Sequence, residues 1–229
     1  MALILSIETS VSVCSVAIHE HSRLVGILEV VGDNVHGRKL VPLIQDLFAQ
    51  TGISKNDINA VAVSKGPGSY TGLRIGVSTA KGIAYAMDIP IIGIDTLDAM
   101  AAGYVAGCLA NDVVIPILDA RRMEVYAKVI SADRIPLLDA MPVIIDELSF
   151  SAYMGEGRAF FVGDACGKVS EVIKHRNAVF MNSLPSARTV GELAYEKYLR
   201  QDFEDVAYFE PNYLKEFMVI KSKKNVLNL

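Results

Sequence analysis

The stretch from Lys65 to Ala86, KGPGSYTGLRIGVSTAKGIAYA, carries five of the seventeen glycines in this chain of 229 residues. It follows a short apolar run, Ala60 to Val63, and its later part has the composition of a helix. Glycines between a strand and a helix N-terminus are typical of phosphate-binding loops. Glycines inside a helix instead allow two helices to approach closely. The fold and the function depend on which of these uses applies.

Three features of the stretch count against a phosphate-binding loop. A Walker loop requires Lys–Ser or Lys–Thr after its last glycine, but Gly72 is followed by Leu73. The dinucleotide fingerprint requires glycine where Thr71 stands. Pro67 has no backbone N–H to offer to an anion. The loop is therefore predicted to be mainly a structural entry to the helix.

The helix interior carries a ridge of small side chains at every fourth position, formed by Gly72, Gly76, Ala80 and Ala84. A glycine within a helix costs about 1 kcal/mol relative to alanine. We therefore expect a second helix to pack closely against this ridge and offset that cost. The periodicity leaves open whether this neighbour belongs to the same chain or to another.

The composition indicates an ordered globular protein, with 52% hydrophobic and 21% charged residues. A net charge of −4 and a pI near 5.6 count against a protein that binds nucleic acid through its own charge. Cys14, Cys108 and Cys166 lie far apart without a C-x-x-C pair, which favours reduced thiols over disulfides or a zinc site. No signal peptide and no membrane span is predicted, so we expect a cytoplasmic protein.

Hydrophobic periodicity in the first half predicts a β-β-β-α-β-α-β-α unit. The predicted strands cover residues 3–7, 13–18, 24–31, 60–64 and 90–94. The predicted helices lie within residues 33–52, within the glycine-rich stretch 65–86 and over residues 96–110.

The second half repeats this pattern. VVIPILDARRMEVYAKVI aligns with ILSIETSVSVCSVAI, which places Asp119 on Glu8 and Val125 on Cys14. Further strands are predicted at residues 135–145, 160–163 and 178–181, and further helices at residues 166–175 and 189–201. We therefore expect a duplicated α/β fold with lobes at 1–110 and 111–229, in which the C-terminal segment packs back on the first lobe.

A ligand between two such lobes would lie at the tips of their first hairpins, ETSVS and DARRM. Neither tip has the glycines that usually turn backbone N–H groups toward a phosphate. The carboxylates of Glu8 and Asp119 have the chemistry to hold magnesium, but hydrogen bonds from their own turns are the favoured interpretation. The candidate nucleotide contacts at the tips are Glu8, Thr9, Ser10, Asp119 and Arg121. Nearby, His19 and His21 flank a predicted turn, where we expect a solvated pair and no metal ligands.

Several segments together resemble the TsaB family, also called YeaZ. They are ILSIETSVSVCSVAI, HGRKLVPLIQDL, KGPGSYTGLRIGVSTAKGIA, IPIIGIDTLDAMA, ILDARRMEVYAKV and PNYLKEF. The resemblance is densest over residues 3–130, and G-P-G-S-[FY]-T-G-x-R-x-G is its most specific part. It implies the actin/Hsp70/sugar-kinase (ASKHA) architecture of two ribonuclease-H-like lobes with mixed sheets flanked by helices. It also implies a non-catalytic subunit of the machinery that adds threonylcarbamoyl to N6 of adenosine 37 in tRNAs reading codons that begin with A.

The resemblance further implies the partners. The helices at about 36–50 and 70–87 would pair with the same helices of a homologous transferase, TsaD, or with a second copy of this chain when TsaD is absent. The ATPase TsaE would be the third protein, tRNA would be reached through the complex, and a nucleotide at a subunit interface is a further implied ligand. The expected interface residues are His36, Leu40, Leu43, Leu47, Gly72, Arg74, Gly76, Ala80, Ile83 and Ala84. We accordingly expect Ala80→Arg to give a folded monomer that does not bind TsaD.

The catalytic relative carries H-H-x-E-G-H just after the strand that matches residues 90–94. This chain reads DTLDAM there, with Thr96 and Met100 at the positions of the metal-binding histidines. Neither a hydroxyl nor a thioether replaces imidazole on a hard catalytic metal, so no catalytic residue, metal or cofactor is expected. Glu8 also departs from the usual aspartate of the family's DTS motif. A small-molecule kinase or ATPase of the same fold and a homodimeric scaffold remain as alternatives.

Overall fold

The computed structural model describes residues 2–215, which form two five-stranded sheets with helices packed on their faces. The first sheet contains β1 (Leu3–Glu8), β2 (Val13–Glu20), β3 (Arg23–Val31), β4 (Ala60–Gly66) and β5 (Ile91–Asp95). The second contains β6 (Val113–Asp119), β7 (Glu124–Ser131), β8 (Pro136–Ile144), β9 (Ala159–Val162) and β10 (Ala178–Met181). The helices are α1 (His36–Thr51), α2 (Tyr70–Met87), α3 (Thr96–Val105), α4 (Cys166–Val172) and α5 (Ala187–Leu199).

The two sheets have the same topology, which confirms the predicted duplication. The first has the order β3-β2-β1-β4-β5, and the second repeats it as β8-β7-β6-β9-β10. In each, the first three strands are antiparallel and the later two run parallel to the first. Glu8 pairs with Ser15 and Asp119 pairs with Val125. The structural equivalent of Val125 is therefore Ser15, one residue beyond Cys14, because six residues separate Glu8 from its pairing partner and five separate Asp119 from its partner.

The helices pack against the apolar faces of the sheets. α1 and α2 cover one face of the first sheet, where their side chains and those of the strands form one core. α5 covers the opposite face. α3 contacts both sheets, and it ends at Val105 where the prediction extended to residue 110. None of the helices within residues 2–215 combines the length and the apolar composition of a membrane span.

After α5 the chain returns to the first sheet as a C-terminal strap, residues 203–215. Glu204 N donates to Ile91 O at 2.9 Å, and Asn212 N donates to Lys65 O at 2.6 Å. Between these contacts, Phe209 is buried in the core under α1 and α2. α5 and the strap, which follow the second sheet in sequence, thus both pack on the first sheet.

Candidate partner-binding face

The small-residue ridge of α2 faces its own sheet. Gly72, Gly76, Ala80 and Ala84 are all buried within this chain. A methyl group added at Gly72 would overlap the carbonyl oxygen of Thr9, and one at Gly76 would overlap Thr9 Oγ1. Thr9 Oγ1 in turn donates to Gly72 O at 2.9 Å. α2 thus crosses the first hairpin tip at Gly72 and Gly76, and Ala80 and Ala84 lie in the core between α2 and the sheet. The expectation that the ridge faces a second chain is wrong.

The residues expected on the α1 side of an interface are buried in the same way. The side of α1 that packs on the sheet carries His36, Leu40, Leu43 and Leu47. His36 Nε2 is 3.0 Å from Val13 O. An amphipathic helix buries its apolar stripe against its own sheet first. Of the ten expected interface residues, only two reach the surface: Arg74, which is exposed, and Ile83, which is half-buried.

A different side of α1 and α2 is open to solvent. The two helices lie side by side and both begin near the first hairpin tip, because His36 lies by Val13 and Gly72 lies by Thr9. We define the outer face by six exposed residues: Gly37 and Val41 of α1, and Arg74, Ser78, Gly82 and Tyr85 of α2. Val41 is 52% exposed and Tyr85 is 83% exposed.

The two glycines of the outer face have no packing reason within the described chain. A methyl group at Gly82 would have no atom within 4 Å, and one at Gly37 would make an ordinary contact of 3.8 Å with Ile75 Cδ1. Each helical glycine nevertheless costs about 1 kcal/mol relative to alanine. Sequence reasoning missed these residues because Gly82 lies outside the four-residue ridge. The sequence signal for this face was a pair of bulky apolar residues outside the buried stripes of the two helices, Val41 and Tyr85.

The first hairpin tip is closed to ligands. Glu8, Thr9 and Ser10 are all fully buried. Ser10 N donates to Glu8 Oε1 at 2.5 Å, while Glu8 Oε2 has no hydrogen-bond partner among residues 2–215. Burial raises the pKa of Glu8 above its ordinary value, although hydrogen bonds from Ser10 oppose the shift. These three candidate nucleotide contacts therefore cannot reach a ligand from solvent in this conformation.

The second hairpin tip is exposed, but its carboxylate is already engaged. Lys168 Nζ lies 2.6 Å from Asp119 Oδ1, and Arg121 N donates to the same oxygen at 2.7 Å. Partial burial acts to raise the pKa of Asp119, but these contacts outweigh it and hold the pKa below the ordinary value. Glu8 and Asp119 thus both accept hydrogen bonds from their own turns, which confirms the favoured interpretation of the two carboxylates.

The contact between the two sheets is apolar around Met100, one of the two positions at which the resemblance implies metal-binding histidines in the catalytic relative. Met100 is buried against Leu97 and Leu118, and Val11 and Tyr126 complete this cluster. Such a cluster fills the space between the sheets with hydrocarbon and thioether groups, which do not suit a hard metal ion.

Thr96 is buried beside this contact, and its Oγ1 has no hydrogen-bond partner in the described part of the chain. A neutral hydroxyl alone is a poor ligand for a hard catalytic metal. Within residues 2–215, no three His, Cys, Asp or Glu side chains gather as a metal site would require.

His19 does not form a solvated pair with His21. The His19 ring is fully buried between the first sheet and α5, and a methyl group at Gly191 would overlap the ring. Burial lowers the pKa of His19 to about 4, and the charge of Arg188 adds to this effect while a backbone group of Arg188 opposes it. Of the two histidines, only His21 lies in the exposed turn. The prediction failed because α5, distant in sequence, covers this end of β2.

Comparison with known proteins agrees with this fold. The family model described as "TsaD: tRNA N6-adenosine threonylcarbamoyltransferase" matches residues 11–219. The tRNA threonylcarbamoyladenosine biosynthesis protein TsaB of Haemophilus influenzae is 29% identical over 221 residues, which is 93% of each chain. The Escherichia coli protein of the same name is 40% identical over 123 residues, a match to 54% of this chain and 52% of that protein.

A transferase and a solved structure complete the comparison. The tRNA N6-adenosine threonylcarbamoyltransferase of Solidesulfovibrio magneticus is 30% identical over 173 residues, 69% of this chain and 46% of the transferase. The crystal structure of YeaZ from Pseudomonas aeruginosa superimposes with a TM-score of 0.82 at 25% identity, covering 93% of this chain and all of that one. The fold is therefore the ASKHA-like α/β architecture, and the chain belongs to the TsaB (YeaZ) branch of the TsaD family, in tRNA threonylcarbamoyladenosine biosynthesis.

Proposed function

We propose that this chain is a non-catalytic subunit that binds and activates the threonylcarbamoyl transferase TsaD, with the ATPase TsaE as the third component of the complex. The complex modifies adenosine 37 of tRNAs that read codons beginning with A, and the chain acts in the cytoplasm. In the absence of TsaD, the same surface pairs two copies of the chain. Tyr85 carries this proposal, because it is a large aromatic side chain that is 83% exposed on a regular helix.

The outer face of α1 and α2 is the proposed binding surface. Exposed Val41 and Tyr85 supply apolar area, and exposed Gly37 and Gly82 allow a second backbone to approach. The chain is itself a relative of the transferases, so we expect the two proteins to share this helix pair. Homologous surfaces can pair about a pseudo-twofold axis, as identical ones do in a dimer. A stable contact of this kind buries on the order of 1,200–2,000 Å².

The non-catalytic role is supported by the contact between the sheets. Buried Met100 and Thr96 stand where the transferase relatives would place metal ligands, and the adjoining residues are apolar. A catalytic site needs a base or nucleophile, a means of stabilising charge and room for substrate together. The buried tip at Glu8 and the engaged carboxylate of Asp119 count against the kinase or ATPase alternative.

The test is a calorimetric titration of this chain with TsaD from the same organism, using Gly82→Arg and a matched control. Gly167 on α4 is also an exposed helical glycine with no atom within 4 Å of an added methyl group. We expect Gly167→Arg to bind like the unmodified chain and Gly82→Arg to bind at least about tenfold more weakly, a loss of 1.4 kcal/mol. Normal binding by Gly82→Arg would place the interface elsewhere. The absence of binding by the unmodified chain would defeat the partner-subunit proposal.

A further inference from the structure

The C-terminal strap is built into the first lobe. A methyl group at Gly66 would overlap the carbonyl oxygen of Asn212, and one at Gly93 would overlap a carboxylate oxygen of Glu204. These glycines in β4 and β5 thus leave the space that the strap occupies. Lys65 Nζ pairs with Glu204 Oε1 at 3.2 Å beside them. The strap is consequently a packed element with a defined path along the sheet.

Along that path the strap follows one flank of α2. Lys81 Nζ donates to the carbonyl oxygens of Ala207 and Phe209 at 3.1 and 3.0 Å. Arg74 Nε donates to the hydroxyl of Tyr213 at 3.1 Å. At about 100° per residue, positions 74 and 81 fall on the same side of a helix. The other edge of the exposed strip of α2, at Ile75, lies next to Gly37 of α1. The exposed strip of α2 therefore lies between α1 on one side and the strap on the other.

Where the strap meets the beginning of α2, three side chains form a stacked cluster. The guanidinium carbon of Arg74 lies 4.2 Å from the centre of the Tyr70 ring. The rings of Tyr70 and Tyr213 have their centres 5.0 Å apart. Tyrosine and arginine are enriched among the residues that dominate binding energies at interfaces. Because stacking and the hydrogen bond already restrict the Arg74 side chain, binding would cost it less conformational entropy than a free arginine.

The charge at this cluster indicates what would bind. Arg74 is exposed and forms no ion pair within residues 2–215, although Glu210 lies near enough to act on its charge. An exposed guanidinium held in place is suited to a carboxylate. The net charge of −4 and the nearby Glu210 repel a polyanion such as RNA more strongly than a single carboxylate, so they favour an acidic side chain of a protein over RNA phosphates.

We infer that the strap is the third segment of the partner-binding face, and that Tyr213 holds Arg74 over Tyr70 to receive an acidic side chain of the homologous transferase subunit. This inference rests on the proposed function and adds a positioning residue from outside the two helices. Tyr213 acts as a positioning residue, whereas Arg74 makes the contact. The face is then three segments wide, formed by α1, α2 and the strap.

The test compares two tyrosines of the same strap. Tyr213→Ala removes the ring and the hydroxyl that hold Arg74, whereas Tyr208→Ala removes a side chain of the same strap that is 84% exposed. In calorimetric titrations with TsaD, we expect Tyr213→Ala to weaken binding about tenfold, a loss of about 1.4 kcal/mol, and Tyr208→Ala to leave it unchanged. Arg74→Ala, which alters an exposed position, should weaken binding as Tyr213→Ala does. It keeps the test valid if Tyr213→Ala proves unstable.

The outcomes separate this inference from the proposed function. If the unmodified chain binds TsaD, Gly82→Arg does not, and Tyr213→Ala and Arg74→Ala bind normally, the inference is wrong and the proposed function stands. Equal losses in Tyr213→Ala and Tyr208→Ala would also overturn it, since the cluster would not be the determinant. A filter-binding assay with unmodified tRNA provides the last arm. If Arg74→Ala weakens only tRNA binding by the complex, the cluster serves an RNA and the inference is again wrong.

Discussion

Gly76 of α2 lies directly against Thr9 of the first hairpin tip, so closely that any side chain at position 76 would overlap Thr9 Oγ1. Gly82, six residues later on the same helix, has no atom within 4 Å of an added methyl group. One helix thus carries a glycine that the fold of this chain requires and a glycine that it does not require.

These two glycines should respond oppositely to the same substitution. We expect Gly76→Ala to destabilise the chain by roughly 1–3 kcal/mol, because the overlap with Thr9 forces α2 or the hairpin to shift. Gly82→Ala should stabilise the isolated chain by up to about 1 kcal/mol through helix propensity. Urea unfolding of both variants measures this. Destabilisation by Gly82→Ala would show that position 82 has packing within the chain that the structure lacks.

Ala80→Arg should unfold the chain, in contrast to the expectation from the sequence. Ala80 is fully buried in the core between α2 and the first sheet. An unpaired charge at that position costs several kcal/mol, a large part of the stability of a domain of this size. Circular dichroism and size-exclusion chromatography should find an unfolded or aggregated product. A monomer with the melting temperature of the unmodified chain would contradict the packing of α2.

The buried ring of His19 predicts a loss of stability in acid. The pKa of His19 is lowered to about 4 in the folded chain, while an unfolded histidine titrates near 6.5. The contribution of neutral His19 to the free energy of unfolding is therefore fully present above pH 6.5 and is lost as the pH falls toward 4. A difference of this size corresponds to about 3 kcal/mol.

The slope of unfolding free energy against pH between 4 and 6.5 should flatten in His19→Gln. It should not change in His21→Gln, which alters the exposed residue of the same turn. If both variants keep the slope of the unmodified chain, another group is responsible for it.

Glu8 predicts the opposite pH dependence of folding stability, a loss as the pH rises. Burial raises the pKa of its carboxyl group, so the folded chain binds a proton that the unfolded chain releases above about pH 4.5. The contribution of Glu8 is present below that pH and is lost as the pH rises through the folded value. At pH 7, Glu8→Gln should therefore be as stable as the unmodified chain or more stable, because the amide oxygen still accepts from Ser10 N. A clear loss of stability on this change would mean that the carboxylate is ionised and has a partner.

The strand and helix order followed from the sequence because the local periodicities were strong. β1 and β4 each open with a continuous apolar run, residues 3–5 and 60–63, as expected for strands that are covered on both faces. The N-cap of α2 is Ser69, whose side chain accepts from Gly72 N. The sequence alignment of Asp119 with Glu8 also located the duplication correctly. Its only error was to match Val125 with Cys14, one residue before the equivalent position Ser15.

The direction that a helix faces did not follow from the sequence. The ridge from Gly72 to Ala84 has the same spacing whether it meets Thr9 of its own hairpin or another chain, since periodicity records only that one side is small. The burial of His19 under α5 depends on a contact between residues more than 160 positions apart. Both errors therefore concern long-range packing, which no local pattern contains.

The central claim is that this chain supports the transfer without performing it, and one assay tests it most directly. Transfer of labelled threonylcarbamoyl to an unmodified tRNA, with TsaE and ATP present, is measured with this chain alone, with TsaD alone, and with both. We predict no transfer by this chain alone, little by TsaD alone and sustained transfer by both, reduced at least about tenfold by Gly82→Arg but not by Gly167→Arg. Transfer by this chain without TsaD, or full activity of the complex with Gly82→Arg, would contradict the account.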